Sequence, residues 1–567
     1  MIIPSMLRRT ALALCLVLTP TALVTISASP AGAAAANAAA GIGTKAALSS
    51  PLCDPSTGRI KIPAYLASVC VKPWPAGSDN GGATYQGVTK DSIKVAVYLP
   101  PVDVQQNTPG GQPPTNRSTG KVGTIQDSIL DAQSALDGRY ELWGRKIDYH
   151  FVTYTGTDEA AQRADAVTVA AMKPFAVLNI AGGTVFSNEI AKRKIALPWG
   201  TGTQEANLAQ QPYRFTGQDA DLQAKNVARW LGKQIAYHKA QWAGDSSFQK
   251  ENRKFGVVFQ SSAVTGPEFD QDKFNAELKK QGVTKPAVEV AYSQPADLST
   301  SATQAAAQEQ APVIIAKLKS AGVTSVVLMA STAIIAPMTK AATANDYHPE
   351  WVMTGWAYQE LSLYAAQYDA DQWAHAFGMS WFAPYAADNA GSVTAENVVN
   401  WYWGKNKGTS YSGGMPAVYF INQGFQLAGP KLTPTSFRDG EFAQPGSGGA
   451  FQGQVTSQGN KVGDLGLGYP EYALLGPKDF ALVWWDPKAE GLGNIIGNKQ
   501  TGNYQYLDGG KRYTLQTWPK GEPKFFAKLP SDVIAYTTSP AKDLPPQYPC
   551  TGCPSQGGTQ QPANATA

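Results

Sequence analysis

Between residues 92 and 356, short apolar runs rich in β-branched residues alternate with segments of helical periodicity. The runs at 93–99, 147–153, 176–181, 195–199, 254–260, 288–292, 325–329 and 351–354 are predicted strands. Their hydrophobicity is continuous rather than alternating, as in parallel strands buried on both faces. The segments between them read as crossover helices. Ile125, Ile129, Ala132 and Leu136 fall on one helix face, and Ala311, Ile314, Ile315, Leu318 and Ala321 repeat that stripe. Thr157-Asp158-Glu159 puts acids where a first turn favours negative charge. Gly282 and Gly322 stop two helices before the next strand. Four βα units, a break and four more predict an α/β fold: two doubly wound lobes with a ligand cleft and a multi-stranded hinge.

The first break lies near Tyr213-Arg-Phe-Thr-Gly217, ahead of a long helix expected over 222–238. A second follows residue 356, and helices are expected at 394–406 and 416–428. The Gly- and aromatic-rich stretch 440–519 reads as short strands and loops. The resulting division is a leader at 1–33, an N-terminal extension at 34–90 and a first pass of lobe I at 91–215. Lobe II follows at 216–356, a return to lobe I at 357–445 and a loop-rich region completing the lobes at 446–535. A disordered tail is expected at 536–567, and the Ala-rich 34–50 is expected to be disordered as well.

Composition narrows the class. Hydrophobic residues at 43% are ample for globular cores. Lys+Arg 47 against Asp+Glu 43 leaves +4, or +2 once Arg8 and Arg9 go with the leader. With no basic block, nucleic acid is not the expected partner. Arg8-Arg9, the apolar stretch 11–26 and Ala31-Gly32-Ala33 have the order of a cleavable signal peptide. No lipobox cysteine is visible, since Cys15 lies too close to Arg9. A secreted, extracytoplasmic protein is expected. Cys53, Cys70, Cys550 and Cys553 then remain, and four cysteines allow three pairings. Pairing within each terminal extension is favoured over links between the two ends. Structural staples are expected rather than zinc or redox chemistry.

Catalytic constellations fail one by one. His150, His238, His348 and His375 show no metal-ligand spacing. Gly408-Thr-Ser410-Tyr-Ser412 ends in the wrong residue for a nucleophile elbow. Ser247-Phe-Gln-Lys250 is a pattern so short that chance supplies it. The turn after the first strand, Leu99-Pro-Pro-Val-Asp103, carries no phosphate-binding glycine pattern. Neither an enzyme, a cofactor nor a metal is expected.

Several stretches have the order and spacing of a known group of proteins. They are Gly87-Val-Thr-Lys-Asp-Ser-Ile-Lys-Val-Ala-Val-Tyr-Leu-Pro100, Leu142-Trp-Gly-Arg-Lys-Ile147 and Phe175-Ala-Val-Leu178. Further along come Ile190-Ala-Lys-Arg-Lys-Ile195-Ala-Leu-Pro198, Leu427-Ala-Gly-Pro-Lys-Leu-Thr433 and Tyr506-Leu-Asp-Gly-Gly-Lys-Arg-Tyr513. Over roughly 85–535 the chain resembles the type I periplasmic binding-protein family, in particular the branched-chain amino acid type substrate-binding proteins of ABC importers. The resemblance implies a monomer that closes on a small polar solute, an amino acid or related compound, and hands it to a membrane permease. Three departures stand out: the long extension and last third, the missing lipobox, and the absence of matching charged groups for an amino acid. The alternative is a secreted sensor or scavenger of the same fold without a transporter.

Ligands of open parallel sheets sit beyond the carboxyl ends of the strands. The expected binding residues on lobe I are therefore Gly183, Thr184, Trp199 and Gly200, with Tyr213 at the crossing. On lobe II they are Ser261, Ser262, Tyr292, Ser331 and Trp356. Small hydroxyls can hydrogen-bond a carboxylate or amide, glycine allows close backbone approach, and indoles furnish apolar walls.

Overall fold

The computed structural model describes residues 36–556, apart from 37, 65–66, 107–113, 199–203, 215, 218–219, 262–268, 294–300, 388–394, 405–414, 446–472, 476–478, 495–496, 514–517, 520, 539 and 541–543. The first sheet is built on β1 (Ser92–Leu99), β2 (Lys146–Thr153) and β3 (Ala176–Asn179), in the order β2-β1-β3, all parallel. Parallel bridges extend it from Ala176 to Ala196 and from Leu197 to Arg214, giving five positions. The second sheet has β4 (Phe255–Gln260), β5 (Val288–Tyr292), β6 (Ser325–Met329), β7 (Glu350–Met353) and β8 (Ala376–Ser380). Its parallel order is β5-β4-β6-β7-β8. Both sheets thus share the order 2-1-3-4-5 and are wound on both faces.

The unbroken hydrophobic runs have this cause. Val95, Val97 and Leu99 enter one core with α1 (Ile125–Leu136), while Ala96 and Tyr98 point into a second with Phe186 and Ile190. On lobe II, Val258, Val326 and Leu328 face the core under α6 (Ser301–Ser320) and α7 (Thr332–Ala344). Val257, Phe259, Val327 and Met329 face the other, with α4 (Ala220–Trp230) and α5 (Gln271–Lys280). The helix expected over 222–238 ends its regular part at Trp230 and continues as a wider five-residue turn through Ile235. No helix among the described residues is long and apolar enough to cross a membrane.

Several boundaries differ from expectation. Lobe II does not end at 356: β8 pairs in parallel with β7 and is the fifth strand of that sheet. Its five residues include Gly378 and Ser380, which hid the apolar run. The stretch 440–519 is not only short strands and loops either. β9 (Phe480–Leu492) is thirteen residues long and pairs antiparallel with β8 and with β10 (Lys499–Tyr506). Asp486-Pro487-Lys488 interrupts its apolar pattern, and a shift of register between Asp486 and Glu490 accommodates the interruption.

The chain ends also differ. Thr44 caps a short helix, Lys45–Leu48, and Ala40 is fully buried with Val69, Val71, Trp143 and Leu427. Residues 544–556 lie against lobe I: Trp401 Nε1 donates to the Tyr548 carbonyl at 2.7 Å, and Ser555 Oγ to the Trp401 carbonyl at 2.8 Å. The disulfides are Cys53–Cys70 and Cys550–Cys553, with Cα–Cα distances of 5.6 and 5.5 Å. The second lies against α8 (Ala395–Trp403), where Arg139 stacks over Trp401 and Tyr402 at 4.8 and 5.1 Å. The same guanidinium donates to Cys553 Sγ at 3.2 Å.

Lobe I is completed by α8, α9 (Met415–Leu427) and α10 (Pro434–Ala443), whose buried Val398, Phe425 and Phe437 join its core. Among the described residues the chain therefore crosses between lobes four times. Thr216–Gly217 and Ala473–Leu475, both leading into lobe II, pair in parallel. Tyr385–Ala386 and Ala535–Tyr536, both leading back to lobe I, pair likewise. Two ribbons of opposite direction join the lobes.

Candidate functional site

Because the first five strands of each sheet are parallel, the loops leaving their carboxyl ends gather on one edge per lobe. On lobe I that edge carries the turn from β3 into α3 (Thr184–Lys192). Asn179 shapes it: Oδ1 accepts the Gly182 N–H at 2.6 Å and Nδ2 donates to the Gly182 carbonyl at 2.8 Å. A Cβ on Gly182 would stand 2.6 Å from the Phe186 ring, so only glycine fits. That ring stacks on Tyr98 at 3.9 Å, which fixes the start of the helix against the sheet.

Gly183 is the N-cap and offers no side-chain cap. The Phe186 N–H is taken by Gln162 Oε1 at 3.2 Å, whereas the amides of Thr184 and Val185 have no partner among the described residues. Thr184 is itself buried, and its Oγ1 has no hydrogen-bond partner. An unpaired buried hydroxyl is costly. Next to two open amides at the positive end of a nine-residue helix, it forms a place suited to a carboxylate or amide oxygen.

On lobe II, Tyr292 binds three strand ends together. Its buried phenol oxygen accepts the Ser331 N–H at 2.8 Å and lies 3.5 Å from Gln260 Oε1, and its carbonyl accepts the Ser261 N–H and Oγ at 3.0 and 3.1 Å. Burial raises the Tyr292 phenol above its ordinary value, so it stays protonated. Ser331 is the N-cap of α7 and makes no side-chain cap to it. A second helix N-terminus thus lies on the lobe II edge.

The connection after β7 is held from two sides. Gln359 Nε2 donates to the carbonyls of Leu328 and Ala330 at 2.7 and 2.8 Å, and its Oε1 accepts the Thr354 N–H at 3.1 Å. Glu360 is buried, with Oε1 accepting the Trp381 N–H at 3.0 Å; burial pushes its carboxyl up to about 7.

The expected residues divide as follows. Gly183 and Thr184 lie together on the lobe I edge, and Ser261, Tyr292 and Ser331 on that of lobe II. Tyr213 does not join them. Its phenol pairs with Tyr85, whose hydroxyl donates to the Lys194 carbonyl at 2.8 Å and whose ring packs edge-on against Phe175. Lys194 and Phe175 precede their strands, so Tyr213 serves the opposite edge. Trp356 is 2% exposed and belongs to the lobe II core with Val352 and Met329, not to an open wall. Trp199, Gly200 and Ser262 lie outside the described residues. Tyr358, two residues beyond Trp356, is an aromatic left exposed at this edge, at 62%; its left-handed backbone, φ 63°, is invisible in the sequence.

No protein-family model matches the chain, and no curated protein matches it. Among solved structures it is similar to a leucine-, isoleucine-, valine-, threonine- and alanine-binding protein from Brucella ovis in a closed conformation. The identity is 10% over 76% of this chain and 98% of that one, with a TM-score of 0.49. It is also similar to a fatty acid ABC transporter substrate-binding protein from Thermomonospora curvata, with 15% identity, 76% and 96% coverage and a TM-score of 0.43. A third is an ABC transporter solute-binding protein from Rhodopseudomonas palustris in complex with p-hydroxybenzoic acid, with 13% identity, 77% and 100% coverage and a TM-score of 0.45.

Proposed function

We propose that this chain is an extracytoplasmic solute-binding protein that closes its two lobes on a small polar ligand, an amino acid or related organic acid, for delivery to an ABC importer. The observation that carries the reading is the Thr184 hydroxyl, buried without a partner beside two open amides at the start of α3. It stands on one lobe of a pair with identical strand order, and the second lobe presents its own helix N-terminus at Ser331. The paired ribbons at Thr216–Gly217 and Tyr385–Ala386 are short, and rotation about them brings the two edges together over a solute. The signal-peptide pattern at 1–33 supports export, and delivery to a permease rests on the family resemblance of the sequence.

A thermal-shift screen of residues 34–567 against amino acids, dipeptides, amides, aromatic acids and sugars tests the reading. A ligand at 100 times its dissociation constant stabilises the native state by about 2.7 kcal/mol. One chemical class raising the midpoint supports it. A flat response across every class overturns it.

A further inference from the structure

We infer that the solute carries a planar aromatic ring, received by Tyr358 and Phe382 on the lobe II edge; the inference rests on the function proposed above and adds the chemical class of the ligand. Six large hydrophobic side chains are exposed among the described residues. Three of them, Val102, Val122 and Tyr358, lie on connections leaving the carboxyl ends of β1 and β7. Exposed apolar groups are ordinary when scattered. Here half fall on the two edges that carry the helix N-termini, on both lobes.

Tyr358 is also presented at a conformational cost. Ala357 and Tyr358 have φ of 48° and 63°, left-handed values that side chains other than glycine rarely adopt. The connection holds them there through the Gln359 amide, which spans the carbonyls of Leu328 and Ala330. On that backbone the Tyr358 ring is mostly exposed and lies nearly parallel to Phe382, with centroids 6.0 Å apart and planes 14° apart.

Phe382 is held as firmly. Arg512, buried and paired with Asp479, donates to the carbonyls of Phe382 and Trp381 at 2.9 and 2.8 Å. Gly355, at φ 74°, lets the connection pass the Trp381 ring, which a Cβ would meet at 2.5 Å. Two rings fixed in near-parallel planes, one of them 62% exposed, form a platform for a third ring. Offset stacking rewards a flat π-system over a saturated ring of equal size. The Thr184 end of α3 supplies the complementary place for the carboxylate, so an aromatic acid satisfies both lobes.

Isothermal titration of the full mature chain with benzoate and with cyclohexanecarboxylate tests this, because the two probes share charge and size and differ in the ring. Benzoate is expected to bind about three- to tenfold tighter. Tyr358→Leu should bring that ratio close to one, and Tyr358→Phe should retain it; Thr184→Val should weaken both probes alike. Tyr358 is mostly exposed, so the variants keep the fold. A ratio unchanged in Tyr358→Leu, or absent in the wild type while other solutes bind, overturns the inference and leaves the proposed function intact. Failure to bind any solute overturns both.

Discussion

The phenol oxygen of Tyr292, at the end of β5, accepts the backbone N–H of Ser331, the N-cap of α7, at 2.8 Å. Both residues are buried, and β5 and β6 are not neighbours, since β4 lies between them. One side chain therefore spans two strand spacings to fix where a helix begins. Tyr292→Phe leaves that N–H buried without its acceptor, at a cost of about 1–3 kcal/mol. Chemical denaturation should show the loss at unchanged m-value. Ligand affinity should fall as well, because the start of α7 is no longer held.

Thr184→Val separates stability from binding. Valine matches threonine in shape and removes an Oγ1 that is buried without a partner. The variant should be as stable as the wild type, or up to about 1 kcal/mol more stable. Its affinity for the solute should fall about tenfold, the usual worth of a good hydrogen bond. A thermal midpoint and a titration on the same sample check both halves. A variant that loses stability and binds normally would remove this hydroxyl from the site.

Glu441, on α10, is fully buried. Its Oε2 accepts Gln423 Nε2 at 2.6 Å while Oε1 has no partner. Burial pushes its carboxyl from an ordinary value of 4.5 to about 8. The sign follows from proton counting: between those values the native chain keeps a proton that the unfolded chain has released. Stability from this group is full in acid, falls as pH rises through the interval, and levels off above about 8. Glu360, pushed up to about 7, acts in the same direction. Glu441→Gln should therefore gain a few kcal/mol at pH 9 and almost nothing at pH 4. Urea midpoints across that range measure the difference.

The two disulfides should differ in worth. Cys53–Cys70 closes a separation of 17 residues and Cys550–Cys553 one of 3. Restricting the unfolded chain gives about 3 kcal/mol for the longer loop and about half that for the shorter. Replacing each pair by serine and comparing denaturation midpoints should reproduce the ranking. Losing the shorter one should also loosen residues 544–556 from Trp401, visible as faster proteolysis of the tail with lobe II unaffected.

Much of this architecture was legible before any coordinate. Strands buried on both faces advertise themselves by unbroken apolar runs: 288–292 and 325–329 coincide with β5 and β6, five others fall within a few residues, and 195–199 forms only single bridges at Ala196 and Leu197. What the sequence does not reveal has physical causes. β8 carries a glycine and a serine, and β9 is broken by Asp486-Pro487, so neither reads as a strand. The Ala-rich start and the Pro/Gly-rich end looked like tails because their partners, Leu427 and Trp401, lie hundreds of residues away. At the candidate site, position along the chain tells which loops leave the strand ends but not side-chain direction. Trp356 points into the core and Tyr358 out of it, a difference set by two left-handed residues.

The four crossings have a consequence for biogenesis. Lobe I takes its first strand from Ser92 and its last clip from Cys553, and all of lobe II is inserted between them. While the chain grows from its amino end, the earliest strands wait for partners that arrive nearly 300 residues later, in α8 to α10. Lobe I cannot complete its core early, and its folding depends on contacts of long sequence separation, which form slowly. A lobe assembled from both ends of the chain gains its last contacts only when synthesis is almost finished, and until then it lacks part of the core that would resist threading through a narrow translocation channel.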